Sequence, residues 1–443
     1  MHIPLPKKVL RILSKLEDCG YAAYAVGGCI RDYFLGLQIH EFDLCSSATP
    51  QEVHACFEGE RLLDTGLKHG TVTLLSEGES FEITTFRSDG SYSDKRHPDQ
   101  VYFSTSILED LKRRDFTINA MAYSPVHGFV DPFDGAKACR DKLLIAVGDA
   151  MERFGEDALR ILRGMRFAST LGFTIDGSTH SAMLKQTPNL RKISRERLAS
   201  ELNQTLLGQD AARVLKLYSQ ILFIILPQLA PMLHTPQKTR FHMYDLWEHT
   251  LKVIEFSPAE LSIRWAALFH DSGKPASITF DPDGVTHFRG HPLISTKISD
   301  ECLSSLKQSK MLQQDVHTLV LHHDDRFGAD RLQRWLAKLG LDMLKRLLQL
   351  QYADIAAHAP HVAAKAHKML ELIPMAETLV EQGVCLGLSD LKVNGDILMR
   401  SGVPQGPVLG EMLSYLLDLV LSGKVKNDKE VLINIALKRL NAQ

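Results

Sequence analysis

Two carboxylates spaced two residues apart, Glu41 and Asp43, follow a glycine pair, Gly27-Gly28, and an Arg31-Asp32 step in the stretch 24–43, YAVGGCIRDYFLGLQIHEFD. In an extended segment an acid-x-acid pair projects both side chains from one face, and paired carboxylates are oxygen ligands suited to Mg²⁺. The apolar run Tyr24, Ala25, Val26 reads as a buried strand, the glycines break it, and the amphipathic segment that follows reads as a helix. Lacking Cβ atoms, the glycines let a polyphosphate approach backbone N–H groups, and a helix N-terminus beside them adds partial positive charge.

Three further stretches carry groups of the same kind. The string 108–123, LEDLKRRDFTINAMAY, reads as a helix bearing Arg113, Arg114, Asp115 and Asn119, with Asp115 and Asn119 at i, i+4 on one face. Such a face offers cations for phosphate and hydrogen-bonding groups for a ribose. In 153–173, Asp157, Arg160, Arg163 and Arg166 succeed one another at three-residue steps on a helical background, next to Glu156. A carboxylate that only accepts and a guanidinium that only donates can together read the edge of a base; the competing account is an ion pair on a solvated face. Glu82, in an alternating strand 81–87, points either toward the pocket of Glu41 and Asp43 or to solvent.

The second half of the chain holds a different set. His249, the adjacent pair His270-Asp271 in HDSGKP, and Asp354 are imidazole and carboxylate donors for a divalent ion, and His291 with His322-His323 could complete a second position.

The elements that must position these groups follow from pattern and punctuation. Strands are expected at 70–75 and 81–87, joined as a hairpin, and a helix starts at Thr49 (N-cap), Pro50 and Glu52. The polar stretch 88–100 reads as a flexible loop, 130–144 as a turn and the end of the sheet, and prolines at 227, 231 and 236 suggest a boundary near 230. The fold class is α+β: a mixed-sheet head (1–148), then an all-α neck (149–230), a helical region with the histidines (231–365) and a helical tail (366–443). The 51 Lys and Arg nearly balance the 53 Asp and Glu, so RNA contact has to come from local basic patches. Seven scattered cysteines without a CxxC pair give neither a disulfide framework nor a zinc ribbon, and the reading is cytoplasmic. The basic amphipathic N-terminus is too charged for a signal peptide, and no apolar run of spanning length occurs.

Taken in order, GGCIRDYFLG then EFD, RRDFTINA, EDALR and RERLASEL resemble the class II tRNA nucleotidyltransferases, the CCA-adding enzymes of the class II CCA-adding/poly(A) polymerase family, with Glu41 standing where the family has Asp. The resemblance implies a nucleotidyltransferase head in which Glu41 and Asp43, joined by Glu82, hold Mg²⁺ and activate the 3′-hydroxyl of tRNA for attack on the α-phosphorus of CTP or ATP. It implies nucleotide contacts by Gly27, Gly28, Arg31, Arg114, Asp115, Asn119, Arg163 and Arg166, and base choice by Asp157 and Arg160. It further implies a brace from Arg195, Glu196, Arg197 and Glu201, a CTP-to-ATP switching loop at Asp89, Tyr92, Asp94, Arg96 and Pro98, and a tail that holds tRNA. HDSGKP resembles the HD phosphohydrolases, which implies a second divalent metal on His249, His270, Asp271 and Asp354. Alternatives are an A-adding enzyme, a poly(A) polymerase, a phosphohydrolase with a vestigial head, or a tRNA-binding protein without catalysis; the oligomeric state stays open.

Overall fold

The structure is a computed structural model, and it describes residues 1–67, 70–89 and 101–441. The chain divides into two compact units, Met1–Pro227 and Gln228–Gln443.

In the first unit an amphipathic helix α1 (Lys7–Asp18) leads into β1 (Ala23–Val26), α2 (Gly28–Leu35), β2 (Asp43–Ser46), α3 (Pro50–Cys56), β3 (Arg61–Gly66), β4 (Thr71–Ser76) and β5 (Glu79–Thr85). The short pair β6 (Arg87–Asp89) and β7 (Val101–Phe103) precedes α4 (Ile107–Lys112), β8 (Ala122–Ser124), β9 (Gly128–Val130) and α5 (Gly135–Arg140). Seven strands form one sheet in the order β3-β4-β5-β2-β1-β8-β9, with β2 and β5 parallel and the other neighbours antiparallel. All four residues of β1 are buried, as a central strand covered on both faces requires. Its register with β2 matches Val26 to Asp43, so the strand that ends at the glycine turn delivers that turn to the side of the carboxylate. The expected capping box of α3 is present, Thr49 and Glu52 exchanging hydrogen bonds with Pro50 in the first turn. The hairpin is β4–β5, with Leu74 opposite Phe81.

Beyond the sheet come β10 (Leu143–Leu144), α6 (Ala150–Glu156), α7 (Leu159–Leu171), β11 (Thr174–Ile175), α8 (Gly177–Gln186), α9 (Arg195–Leu207), α10 (Ala211–Leu217) and α11 (Ser219–Ile225). The stretch 130–144, expected as a turn and the end of the sheet, instead contains α5, whose first N–H groups at Gly135 and Ala136 bind the Asp131 carboxylate at 2.7 and 2.9 Å. β10 pairs with β11 rather than with the large sheet, so the chain is stitched across residue 148.

The second unit is helical: α12 (Leu246–Phe256), α13 (Leu261–Phe269), α14 (Lys274–Ser277), the small pair β12 (Thr279–Phe280) and β13 (Thr286–His287), α15 (His291–Ser305), α16 (Lys310–His322), α17 (Leu332–Leu339), α18 (Leu341–Ala356), α19 (Pro360–Ala363) and α20 (His367–Glu381). The last helices, α21 (Gly395–Arg400), α22 (Pro407–Leu421) and α23 (Lys429–Leu440), close over a small core of Val393, Leu398, Val403, Met412, Leu416 and Leu432. No helix among the described residues is long and apolar enough to cross a membrane.

Candidate functional site: an arginine-lined cleft and a histidine cluster

A cleft of about 600 Å³ opens in the first unit at the end of β1, lined by Gly27, Gly28, Arg31, Glu41, Asp43, Arg114, Asp115, Asn119, Asp157, Arg160, Arg163 and Arg166, with Arg113, Leu159, Phe167 and Arg197. Gly27 has φ +78°, and a Cβ there would meet Arg114 Nη1 at 3.1 Å, so only glycine lets the turn pass this close to the guanidinium. The arginines are fixed from behind. Asp110, fully buried, takes Arg113 Nη2 at 2.7 Å on one oxygen and Arg114 Nη2 at 2.9 Å on the other. Arg31 donates to Asn119 Oδ1 at 2.8 Å, Arg163 Nε to Asp115 Oδ2 at 2.6 Å, and Arg166 pairs with Glu201 at 2.7 Å. The Phe167 ring gathers three guanidinium groups, Arg166 at 4.3 Å, Arg31 at 5.4 Å and Arg163 at 5.5 Å.

Two carboxylates in the cleft behave oppositely. Loss of hydration pushes the Asp43 carboxyl above its ordinary value, Arg114 opposes this, and the neighbouring negative charge of Glu41 adds to it. Burial pushes Asp115 the same way, but the Arg163 charge and its hydrogen bond, with those from Asn119 and the Phe116 N–H, bring its carboxyl down to about 2. Asp43, raised by burial and by the neighbouring charge of Glu41, lies with Glu41 against a wall of cations, an arrangement that fits a divalent ion together with a polyphosphate.

Asp157 and Arg160 are set on the same wall. Arg160 is nearly buried and spends three donors on Glu156 Oε2 (2.6 Å), Arg153 O (3.1 Å) and Arg113 O (2.9 Å). A guanidinium has five N–H donors, so two remain. Asp157 accepts the Leu159 N–H at 2.9 Å and Arg197 Nη2 at 3.3 Å.

In the second unit α12, α13, α15, α16 and α18 converge on a buried cluster. His249 Nε2 lies 3.1 Å from Asp354 Oδ1 and 3.6 Å from Asp271 Oδ2, and His270 Nε2 lies 3.2 Å from Asp271 Oδ2. On the other oxygen, His291 Nε2 is 3.2 Å and His323 Nε2 3.7 Å from Asp271 Oδ1, with the two imidazole Nε2 atoms 3.1 Å apart. The Nδ1 atoms of His270, His291 and His323 face the carbonyls of Ala267, Phe288 and Val320 at 2.7–2.8 Å. An Nδ1–H given to a carbonyl leaves Nε2 as a bare lone pair, and these lone pairs point at one another and at carboxylates. Burial lowers the proton affinity of His249, while imidazoles and cations, Lys274 at 2.7 Å from Asp271 and Arg326 at 2.8 Å from Asp354, hold both carboxyls well below the usual range. His270 Nε2 and Asp271 Oδ2 are buried facing each other, with Lys274 Nζ at 2.7 Å from the same oxygen. Groupings His249/His270/Asp271 and Asp271/His291/His323 therefore bring together nitrogen and carboxylate donors of the kind a divalent metal takes.

The chain matches the family model of the poly(A) polymerase head domain over residues 23–145, the RNA- and SrmB-binding site of polymerase A over 172–233, and tRNA nucleotidyltransferase domain 2 over 293–436. It is 33% identical to a CCA-adding enzyme of Leuconostoc mesenteroides over 98% of this chain and 96% of that one, and 35% identical to that of Levilactobacillus brevis over 98% of each. The chain belongs to the CCA-adding enzyme family. Its fold is likewise that of the Bacillus stearothermophilus CCA-adding enzyme in complex with CTP, at 29% identity, 99% coverage of both chains and a TM-score of 0.74. The Thermotoga maritima CCA-adding enzyme complexed with tRNA shares the fold at 19% identity, a TM-score of 0.64, and 98% and 96% coverage.

Within this family frame, the structure revises several local expectations. RRDFTIN is not a continuous helix: α4 stops at Lys112, Phe116 bridges Ala146, and 117–119 form a single 3₁₀ turn. Asp115 takes the Phe116 N–H on its own side chain, which competes with helical bonding, yet Asn119 still reaches Asp115 at 3.2 Å. The helix expected through Glu156 and Asp157 is broken there, Asp157 being extended (φ −130°, ψ 104°) between α6 and α7. Asp157 and Arg160 form no ion pair with each other; Arg160 pairs with Glu156 instead. Glu41 lies in the loop before β2, not on the strand with Asp43, although both line the cleft. Glu82 does not line it: exposed on β5, it precedes Ile83, the partner of Leu44. Of 88–100, residues 90–100 lie outside those described, and with them Tyr92, Asp94, Arg96 and Pro98. His322 turns to Asp325 at 2.7 Å, so only His323 of that pair joins the cluster. The residues missed were Phe167 and Arg197 in the cleft lining and the buried Asp110 that holds Arg113 and Arg114; Asp110 was detectable as an acid three and four residues before them.

Proposed function

We propose that this chain completes the 3′ end of tRNA by adding C, C and A without a nucleic-acid template, from CTP and ATP with release of pyrophosphate, in the cytoplasm. The observation that carries this reading is one cleft holding Glu41 and Asp43 opposite Asp157 and Arg160, in a chain whose relatives along nearly its whole length are CCA-adding enzymes. Mg²⁺ held by Glu41 and Asp43 would supply acidification of the tRNA 3′-hydroxyl and charge neutralisation at the α-phosphate. Everything else falls to the protein. Arg31, Arg114, Arg163 and Arg166, already oriented by Asn119, Asp110, Asp115 and Glu201, neutralise the triphosphate without reorganising. Gly27 and Gly28 admit it to the N-terminus of α2, and Asp115 and Asn119 are placed for the ribose. Asp157 accepts from the exocyclic amine of cytosine or adenine while the free donors of Arg160 meet a ring nitrogen. The test is to incubate tRNA ending before CCA, or after CC, with labelled CTP and ATP and to size the products. Extension by three and by one nucleotide is expected; a long A tail indicates a poly(A) polymerase, growth of only the second substrate an A-adding enzyme, and no incorporation sinks the reading.

A second reading is favoured by the converging Nε2 atoms in the other unit. We infer that His249, His270, Asp271 and Asp354 hold one divalent ion and Asp271, His291 and His323 another, and that this site hydrolyses phosphate esters or 2′,3′-cyclic phosphates. Its cavity, about 490 Å³, carries Lys274, Arg326 and Lys365, which suit an anionic substrate. Elemental analysis of the purified protein, with ring opening of a 2′,3′-cyclic nucleotide and phosphate release from the resulting monoester, checks this; a metal-free protein that cannot be reloaded removes it.

A further inference from the structure

We propose that Phe167 is a positioning residue for the triphosphate: its ring keeps Arg31, Arg163 and Arg166 in one cluster, so the cleft meets the phosphates common to CTP and ATP with its cations already assembled. This rests on the reading of the cleft given above. The guanidinium carbons of Arg166, Arg31 and Arg163 lie 4.3, 5.4 and 5.5 Å from the ring centroid. All three fall within the roughly 6 Å over which the electron-rich face of an aromatic ring attracts a cation.

The polar contacts that orient these arginines do not bring them together. Arg31 is tied to Asn119 and Asp32, Arg163 to Asp115 and Arg166 to Glu201, each to its own partners. Phe167 is what all three share. Arg31 comes from α2 and the other two from α7, so the ring joins cations of two separate elements. Like charges drawn this close repel one another, and a ring opposes that repulsion without carrying a charge of its own. A carboxylate in its place would compete with the incoming phosphates.

Two features set Phe167 apart from a side chain that only fills the core. It is 5% exposed and yet part of the cleft lining. Phe116 meets it edge-on, with centroids 5.9 Å apart and planes at 84°, which restrains the plane of the ring that the guanidinium groups use.

The experiment measures the dissociation constants of CTP and CMP, at fixed Mg²⁺, for the full chain carrying at position 167 either phenylalanine or its mono-, di- and trifluorinated forms introduced by nonsense suppression, each with its melting temperature. Fluorine withdraws electron density from the ring while barely changing its size, so a ring that only occupies space is unaffected. The dissociation constant of CTP should rise with each fluorine, to about tenfold at three, the scale of a desolvated cation–π contact. CMP, which lacks the two outer phosphates, should change by less than about twofold. Phe167→Leu should raise KM for CTP and ATP alike, by about tenfold, with the CTP:UTP ratio of kcat/KM unchanged. A CTP series that stays flat, or equal weakening of CTP and CMP, overturns the proposal. Should Phe167→Leu not fold, the fluorinated series, which keeps the ring, decides. Arg114→Ala, a change in the cleft lining away from the ring cluster, separates this proposal from the reading beneath it. If Arg114→Ala binds CTP as the native chain does, the reading of the cleft falls and this proposal with it; if Arg114→Ala weakens CTP and the fluorinated series is flat, only the role of Phe167 falls.

Discussion

The two units solve the problem of concentrated charge in opposite ways. In the first, each guanidinium is held by a carboxylate, Arg113 and Arg114 by Asp110, Arg163 by Asp115 and Arg166 by Glu201, so the cleft wall is cationic and already oriented. In the second, the carboxylates Asp271 and Asp354 are central and buried, and what surrounds them is mostly imidazole whose Nδ1 has been assigned to the backbone. A prepaired arginine wall needs an anion to complete it. A ring of bare imidazole nitrogens around ionised acids needs a cation. The contrast lies less in which residues are used than in which of their atoms the fold has already satisfied.

The sharpest way to break this contrast is to disable one site and read both. Asp43→Ala should reduce nucleotide incorporation by on the order of 10³-fold or more, since on the proposed mechanism it removes a ligand of the ion that neutralises charge at the reacting phosphate. It should leave the metal content of the second unit unchanged. Full activity in Asp43→Ala removes Asp43 from the mechanism. The reciprocal change is Asp271→Ala. Asp271 presents one oxygen to His270 and His249 and the other to His291 and His323, so added Mn²⁺ or Ni²⁺ should raise the melting temperature of the native chain and leave that of the variant unchanged. At about a thousandfold excess over Kd a bound ligand contributes about 4 kcal/mol to stability. A metal-dependent melting shift that survives in Asp271→Ala means the ions sit elsewhere.

How legible each site was depends on whether its members are close in sequence. The glycine turn, the Glu41-Asp43 pair, RRDFTINA and EDALR are local strings, and the twelve head and neck residues assigned to metal and nucleotide, Glu82 excepted, share one cleft. What sequence could not supply is the element each string adopts. RRDFTIN has helical composition, yet Asp115 captures its neighbour's N–H and Phe116 bridges Ala146, a contact thirty residues away that periodicity cannot register. Asp157 breaks a helix that its flanking residues would continue, because its side chain satisfies the first N–H of α7. Arg197 was read as a brace because nothing local connects it to Asp157. Glu82 alternated correctly with Ile83, but alternation gives a face and not the distance along it to the cleft.

A smaller effect separates the two cleft carboxylates that differ in titration. Asp115, drawn down to about 2 by Arg163 against the cost of burial, has a folded value below its unfolded one near 3.8. Its contribution is therefore complete above about pH 4 and is lost as pH falls through about 2, and the shift is worth about 2 kcal/mol. Urea melts between pH 5 and pH 2 should show that decline in the native chain and a shallower one in Asp115→Asn. An identical slope in both places the acid sensitivity in other carboxylates. Asp43 contrasts with it, its value displaced upward by burial against the opposing charge of Arg114.

The smallest expected effects fall on two glutamates, Glu41 in the cleft lining and Glu82 outside it. Glu41 occupies a loop position rather than a fixed place on β2, so a methylene added or removed can be absorbed by a small shift of main chain; Glu41→Asp should keep or raise nucleotide incorporation. Glu82 is exposed on β5 and stands outside the cleft lining, and a surface substitution away from buried partners costs within about 0.5 kcal/mol. Glu82→Ala should accordingly change kcat/KM by less than about threefold. If it instead matched the loss in Asp43→Ala, three carboxylates rather than two would define the site, and β5 would have to present Glu82 to the nucleotide once tRNA and triphosphate are bound. Measuring both variants at limiting and at saturating Mg²⁺ tells these cases apart, because a ligand's removal is partly recovered by excess ion and an unrelated surface change is not.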